Sequence, residues 1–288
     1  ENCFGGGTKM KIALVTDSTA DLPQQLINQW KIFVLPLKVS FGKEQYLDNE
    51  LAAEEFYSRL RAESTLPTTS QPTPEDFASL YAKVLTDYDE IISIHISSGL
   101  SGTLNSAHMA AKSFRGQVHV VDSRSISLGI GQQVVEAALG IQEGLAVPAV
   151  LDRIEKSREN TETIFTLDTL EYLHKGGRIG VVKGMVGALL RIKPIIRVNE
   201  DGVYVPAGIA RSLDKSLRGI VSAMEKAAAG RTVKSLAIAH GAAPEAAEKL
   251  QAMLEAAFNV NASMFTQVGP VIGVHTGPGT VGASLVFA

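Results

Sequence analysis

The segments Asp17-Ser18-Thr19, Thr68-Thr69-Ser70-Gln71 and Ser97-Ser98-Gly99-Leu100-Ser101-Gly102-Thr103 concentrate hydroxyls and glycines without a lysine or arginine among them. Loops of that composition bring neutral hydrogen-bond donors onto one point, and Thr69 and Ser101 are side chains suited to donate there. The third segment runs into a helical stretch, so its backbone N–H groups and the helix dipole favour an anion. Taken singly, each loop reads equally well as an ordinary cap or turn. Near the far end, His275 stands in the glycine-rich stretch Gly269–Gly282, where backbone can approach a ligand closely. Its imidazole can meet an anion, with a charge adjustable near neutral pH; a backbone carbonyl satisfying a strand-end histidine is the alternative. That plainer reading applies to His95, His108, His119 and His174. Arg178, in Lys175-Gly176-Gly177-Arg178, and Arg211 are cations in or beside turns, where solvated surface is the usual role. Asp17 and Asp122 read as braces for the loops that follow their strands.

The elements that must position these residues follow from periodicity. Ile12–Thr16, Ile32–Pro36, Ile91–Ile96 and Val118–Val121 read as short buried strands. They alternate with helices over Asp21–Trp30, Leu51–Glu63, Thr73–Leu85, Thr103–Phe114, Ile126–Gly144 and Pro148–Asn160, where Thr73-Pro74 supplies a cap and a first-turn proline. This alternation predicts a parallel sheet with helices on both faces, whose ligands bind beyond the carboxyl ends of the strands. Beyond Asn160 the pattern changes. Thr163–Leu167 is strand-like, Asp168–His174 a short helix, and Lys193–Asn199 with Gly202–Gly208 a hairpin. Helices Asp214–Ala229 and Pro244–Phe258 alternate with strands Ser235–His240, Asn261–Val268 and Val271–His275. The expected class is α/β: an α/β/α doubly wound parallel-sheet domain over residues 10–160, then a smaller α+β two-layer domain over 161–288. Residues 1–9, ENCFGGGTK, read as a remnant outside the fold.

At 288 residues, 45% hydrophobic and 20% charged with net charge −3, the chain has the composition of a globular protein and not of a nucleic-acid binder. A polybasic membrane anchor is equally unsupported. No run of eighteen apolar residues is present, so no bilayer span is expected. The single cysteine, Cys3, rules out an internal disulfide and a cysteine-rich metal site. Without a secretory signal, the cytoplasm is the expected location. No GxxxxGK[ST], GxGxxG after the first strand, HExxH, CxxC or GxSxG occurs, so no nucleotide cofactor or metal is expected.

Val15–Pro23, Thr69-Ser70-Gln71-Pro72, Ser97–Thr103, Val121-Asp122-Ser123, Lys175–Ile179, Lys193-Pro194-Ile195 and Gly269–Gly277 occur in that order. Together they resemble the DegV family of bacterial fatty-acid-binding proteins over essentially the whole chain from Met10. The resemblance implies one long-chain fatty acid held between the two domains. It also implies an acyl-carrier role for the ATP-binding subunit of a fatty acid kinase, which would make acyl phosphate for phospholipid synthesis. On this chain the carboxylate site would be Thr69, Ser101 and His275, with Ser70, Ser98 and Gly99 from the same loops. Arg178 and Arg211 would face the phosphate or the kinase. The acyl tail would run along Ile126, Ile130, Leu167, Met185, Leu189, Ile195, Met264 and Ile272. Each methylene removed from water returns about 0.8 kcal/mol, so the tail can dominate affinity while the head need only be satisfied. A self-sufficient phosphotransferase or esterase using His275 and Ser101, or a lipid sensor without a kinase, are the other functions this sequence admits.

Overall fold

The computed structural model describes residues 10–185 and 192–288. In chain order, β1 (Ile12–Asp17) leads through a 3-10 turn to α1 (Gln24–Trp30), β2 (Phe33–Leu35), β3 (Lys38–Phe41), β4 (Glu44–Leu47) and α2 (Ala53–Ala62). Then come β5 (Thr68–Ser70), α3 (Pro74–Val84), β6 (Glu90–His95), α4 (Thr103–Ala111), β7 (Val118–Asp122), α5 (Leu128–Gln142) and α6 (Val147–Glu159). The second half holds β8 (Thr161–Thr166), α7 (Glu171–Lys175), β9 (Lys193–Val198), β10 (Tyr204–Ala210) and α8 (Leu213–Ala228). It closes with β11 (Val233–Gly241), α9 (Pro244–Phe258), β12 (Ala262–Gln267), α10 (Pro270–Thr276) and β13 (Thr280–Phe287).

These strands make a parallel sheet of order β2-β1-β6-β7, a six-stranded mixed sheet of order β10-β9-β8-β13-β11-β12, and a small antiparallel sheet β4-β3-β5. All six residues of β1 are buried, which explains its continuous apolar run. Ile12 and Leu14 face one core with Ile92 and Ile94, while Ala13 and Val15 face another with Ile91 and with Phe77 and Tyr81 of α3. The mixed sheet divides in the same way. Ile164, Ile195, Ile238 and Leu285 pack under Leu217 and Ile220 of α8 and Leu250 of α9. Its other face, through Phe165, Ile196, Ala237 and Ala239, joins the core of the first half.

At the carboxyl end of β1, Asp17 accepts from His95 Nδ1 at 2.9 Å, from Ile96 N–H at 3.1 Å and from Thr19 N–H at 3.0 Å. His95 is thus satisfied by a carboxylate and by Ser93, 2.7 Å from its Nε2, not by a backbone carbonyl. Asp122 braces the loop after β6 by accepting from Ser98 N–H at 3.3 Å and Ser98 Oγ at 2.6 Å.

Five elements differ from the sequence expectation: α10, β13 and the three strands of the small sheet. Val271–His275 is a helical segment within α10, not a strand. Pro270 at its first position fixes a helical φ and needs no N–H partner, and a five-residue apolar run does not distinguish helix from strand. The strand in that region is β13, in the middle of the mixed sheet. The short, largely polar strands of the small sheet also lay outside the expected pattern.

The halves meet where Tyr57 of α2 reaches Val268 O at 3.4 Å beside Gly241. A Cβ on Gly241 would stand 2.8 Å from the Tyr57 hydroxyl and 3.0 Å from Gly277 O. Gly241→Ala is therefore expected to destabilise the protein by about 1–3 kcal/mol through overpacking, measured by denaturant unfolding. An unchanged midpoint would show that the contact between the halves has slack.

Candidate functional site

Thr69, at the centre of β5, and His275, near the end of α10, meet across the chain with Oγ1 and Nε2 2.8 Å apart. They stand in the wall of a cavity of about 210 Å³ that Thr19, Ser70, Gln71, Leu100, Ser101 and Arg178 also line. Register holds Thr69 opposite Val39 of β3, so the small sheet sets the threonine. Two carboxylates from the first half set the histidine's helix. Asp21 accepts from Gly269 N–H at 2.8 Å and from Ser127 Oγ at 2.6 Å, and Asp48 accepts from Val271 N–H at 2.9 Å. Asp21 and Asp48 cap α10 in trans, a role local Ser, Thr, Asn or Asp side chains usually fill.

Burial and the Arg178 charge push His275 down to about 4, so the ring is neutral at physiological pH. The charge adjustable near neutral pH expected from sequence is absent. Nδ1 is buried without a partner, against Gly176, where any side chain would overlap the ring. A buried orphan N–H is rarer than an under-satisfied acceptor, so the tautomer of lowest cost carries its proton on Nε2. That N–H donates to Thr69 Oγ1 and frees the threonine O–H to donate into the cavity. Burial likewise pushes Asp21 up to about 8, against the pull of Ser127 and Gly269, and Asp48 up to about 6, against Ser18 and Val271.

In the loop that precedes α4, Ser101 lines the cavity while its Oγ accepts from Thr103 N–H at 3.2 Å and lies 2.9 Å from Thr103 Oγ1. Ser98 turns away onto Asp122. Gly99 packs under the β9–β10 hairpin, where a Cβ would come within 2.6 Å of Val203. These two residues anchor the loop and are not part of the cavity wall. Arg178 lines the cavity and donates from its guanidinium to Gly176 O at 2.9 Å. Arg211 is exposed, just after β10 and outside the cavity wall.

Ile126, Tyr204 and Ile272 belong both to this cavity and to a slot of about 40 Å³ between α5 and the mixed sheet. Phe165, Ala237, Ala239, Val268 and Gly282 continue the slot's apolar wall. The other tail candidates lie elsewhere. Ile130, Leu167, Met185 and Met264 are buried in the large core but do not line the slot. Ile195 faces α8 on the opposite side of the sheet. Leu189 lies outside the described residues. Sequence reasoning missed Gln71, Leu100 and Tyr204 as lining residues. Tyr204 had a signal, an aromatic opening the strand after the Asn199–Gly202 turn, but nothing in sequence placed it beside α10. Among the described residues no group of three His, Cys, Asp or Glu side chains is placed to hold a metal, and no helix is long and apolar enough to cross a membrane.

The family model described as "Uncharacterised protein, DegV family" matches residues 11–288. A DegV domain-containing protein of Clostridium acetobutylicum is 36% identical over 275 residues, 94% of this chain and 97% of that protein. A DegV family protein of Thermus thermophilus, solved for its fatty acid binding, has TM-score 0.92 at 38% identity and covers 97% of this chain and 100% of its own. DegV of Bacillus subtilis, a fatty acid binding protein, has TM-score 0.86 at 33% identity over 97% of this chain and 100% of its own.

Two measurements check the electrostatics. The His275 ring signals in NMR should stay constant from about pH 8 to pH 5.5 and move only nearer pH 4, the direction set by burial. A midpoint near 6.5 would refute the buried neutral ring. Because the native Asp21 carboxyl holds its proton to about pH 8 and the unfolded one only to 3.8, the folded chain binds more protons across that window. Its contribution to stability therefore falls as pH rises through it. Asp21→Asn should remove that fall, so the variant's melting temperature gains on the parent's between about pH 5 and pH 8.5. Parallel curves would contradict the assignment.

Proposed function

This chain belongs to the DegV family, and we propose that it binds one long-chain fatty acid, carboxylate in the Thr69–His275 cavity and tail in the apolar slot beyond it. The single observation that carries this reading is the adjacency of the two spaces, which share Ile126, Tyr204 and Ile272 as walls. A polar head site stands next to a greasy slot, the two chemistries of a fatty acid side by side. The relatives solved from Thermus thermophilus and Bacillus subtilis, described as fatty-acid binding, support it.

Burying a carboxylate costs several kcal/mol unless donors meet it. Thr69 O–H and Ser101 O–H are neutral donors placed to do so, the threonine O–H freed by the Nε2–H that His275 gives to Thr69 Oγ1. Arg178 adds one cation at the exposed side of the cavity. A bidentate guanidinium would hold the carboxylate harder and lower its basicity. Neutral donors leave its oxygens able to attack an electrophilic phosphorus, the chemistry that a separate ATP-dependent kinase subunit would supply to form acyl phosphate. In this reading the chain is the carrier and phosphorylation happens in the partner. A Ser–His enzyme has less support: Ser101 Oγ pairs with Thr103, and His275 Nε2 with Thr69.

Organic extraction of the purified protein followed by mass spectrometry should yield one fatty acid per chain, and its absence after loading with oleate or palmitate would refute the proposal. Thr69→Ala should weaken binding about 10- to 150-fold, the loss of one hydrogen bond to a charged group worth about 1.5–3 kcal/mol, and His275→Ala should weaken it by less, since it removes the bond that orients the Thr69 hydroxyl, measured by displacement of a fluorescent fatty acid. With a fatty acid kinase subunit and ATP, both variants should lose acyl-phosphate formation at subsaturating lipid. Full activity in either would remove it from the head site.

A further inference from the structure

We propose that Thr163, with Ser284 and Gly129, forms the stop for the methyl end of the acyl chain and so sets the chain length this protein accepts; the proposal rests on the fatty-acid reading above. The register of the mixed sheet fixes direction along the slot. Phe165 of β8 pairs with Gly282 of β13 at the rung that also carries Ala239, near Tyr204 and the head cavity. Two residues further from the head, about 7 Å along a strand, Thr163 pairs with Ser284 beside Ala237. All of these residues line the slot.

At that second rung the wall changes character. Thr163 Oγ1 donates to Ser284 Oγ at 3.2 Å, and the Ser284 carbonyl accepts from Gln132 Nε2 of α5 at 3.1 Å. Thr163 and Ser284 are both buried. From above, α5 closes down at Gly129, where a Cβ would lie 2.7 Å from Thr163 Oγ1 and would overlap Ser125 Oγ. The glycine lets the helix backbone descend onto the hydroxyl pair and seal the slot.

Behind the seal lies a different space. A polar cleft of about 800 Å³ takes Ser125, Gln133, Arg197 and Lys226 into its walls, and Thr163 and Ile164 line both the cleft and the slot. The partition between a dry channel and a wide polar cleft is therefore the thickness of these side chains. An alkyl chain reaching past Thr163 would break the hydroxyl pair and emerge among charged groups, where extra methylenes gain no burial. That arrangement turns the slot's end into a length limit and not a gradual taper.

The test offers the purified, delipidated protein an equimolar mixture of even-numbered saturated fatty acids from laurate to arachidate and identifies the bound fraction by mass spectrometry. Thr163→Ala should shift the bound distribution to longer chains, about fourfold in the long-to-short ratio for each methylene newly covered, the equivalent of about 0.8 kcal/mol. Thr163→Ile should shift it to shorter chains. Thr163→Ser keeps the hydroxyl, drops only the methyl, and should move the distribution in the same direction as Thr163→Ala by less, which preserves the test should the alanine variant misfold. An identical distribution in the parent and in every folded variant that binds lipid would overturn the stop. Failure of the parent itself to take up any fatty acid would instead overturn the function on which it rests.

Discussion

Helix α10 has its first turn held by carboxylates that belong to the other half of the chain. Asp21 and Asp48 take the N–H groups of Gly269 and Val271, and no cation lines the small cavity that these aspartates share with Asp17. Such a cap is directional: moving α10 by one residue would strand both N–H groups and both acids away from water. His275 and Ile272 ride on this helix, one in the head cavity and the other at the junction with the slot. The site between the halves is thus fixed by hydrogen bonds buried between the halves. Had α10 been capped only by its own residues, the apolar core and the Tyr57 contact would still join the halves, but without directional bonds to set the place of His275 against Thr69.

The electrostatic consequence is an interface that holds protons. Burial raises Asp21 and Asp48 and lowers His275, so each of these groups is pushed towards its neutral form. A neutral Asp21 carboxyl can still accept from Gly269 through one oxygen and donate to Ser127 through the other, so protonation leaves its clamp intact. Around the Thr69–His275 cavity the same logic leaves hydroxyls as the inner donors, backed by an uncharged imidazole, with Arg178 exposed. In the proposed reading an incoming carboxylate would bring a negative charge among neutral donors, whose hydrogen bonds to it would strengthen in the low dielectric.

Much of this was legible in the residues. The parallel sheet and its alternation with helices followed from apolar runs ending in polar loops, and helix α9 was bounded correctly by Pro244 and Phe258, where a first-turn proline and the apolar periodicity agree and Asn259 takes the left-handed C-cap. Thr69, Ser101 and His275 were singled out together, and the fold brings all three to one cavity. What failed shares a cause: facts set by tertiary pairing. Val271–His275 is too short for its periodicity to separate helix from strand, and what makes it helical includes Asp48, more than two hundred residues away in sequence. β13 reads TVGASLVF, small and glycine-interrupted, because it lies in the middle of a sheet where Gly282 must pass close to Phe165. Ser98 and Gly99 sit in the right loop but point to Asp122 and Val203. Ile195 has the right chemistry on the wrong face, a choice that strand parity alone could not make without knowing which face α8 covers.

The slot's width carries a last consequence for affinity. Its room of about 40 Å³ is only a few times the roughly 10–15 Å³ that a single water needs. The apolar stretch of its walls closes on itself because every gap forfeits dispersion contacts, while Thr163 and Ser284 are taken up with each other. In the proposed reading, seating an alkyl chain would part α5 from the Phe165 and Gly282 face, and the walls would exchange contacts with each other for contacts with the chain. Wall-to-wall and wall-to-chain dispersion nearly cancel, so the net gain is the burial of the acyl surface itself, about 0.8 kcal/mol per methylene. The parting is resisted where the walls are tied, at the Thr163–Ser284 hydroxyls and the Gln132 bond to β13, and not along the apolar middle. A channel tied at its far end and hinged on apolar contacts near its mouth would open from the head inwards, admitting the proposed chain methyl end first and leaving its carboxylate in the head cavity.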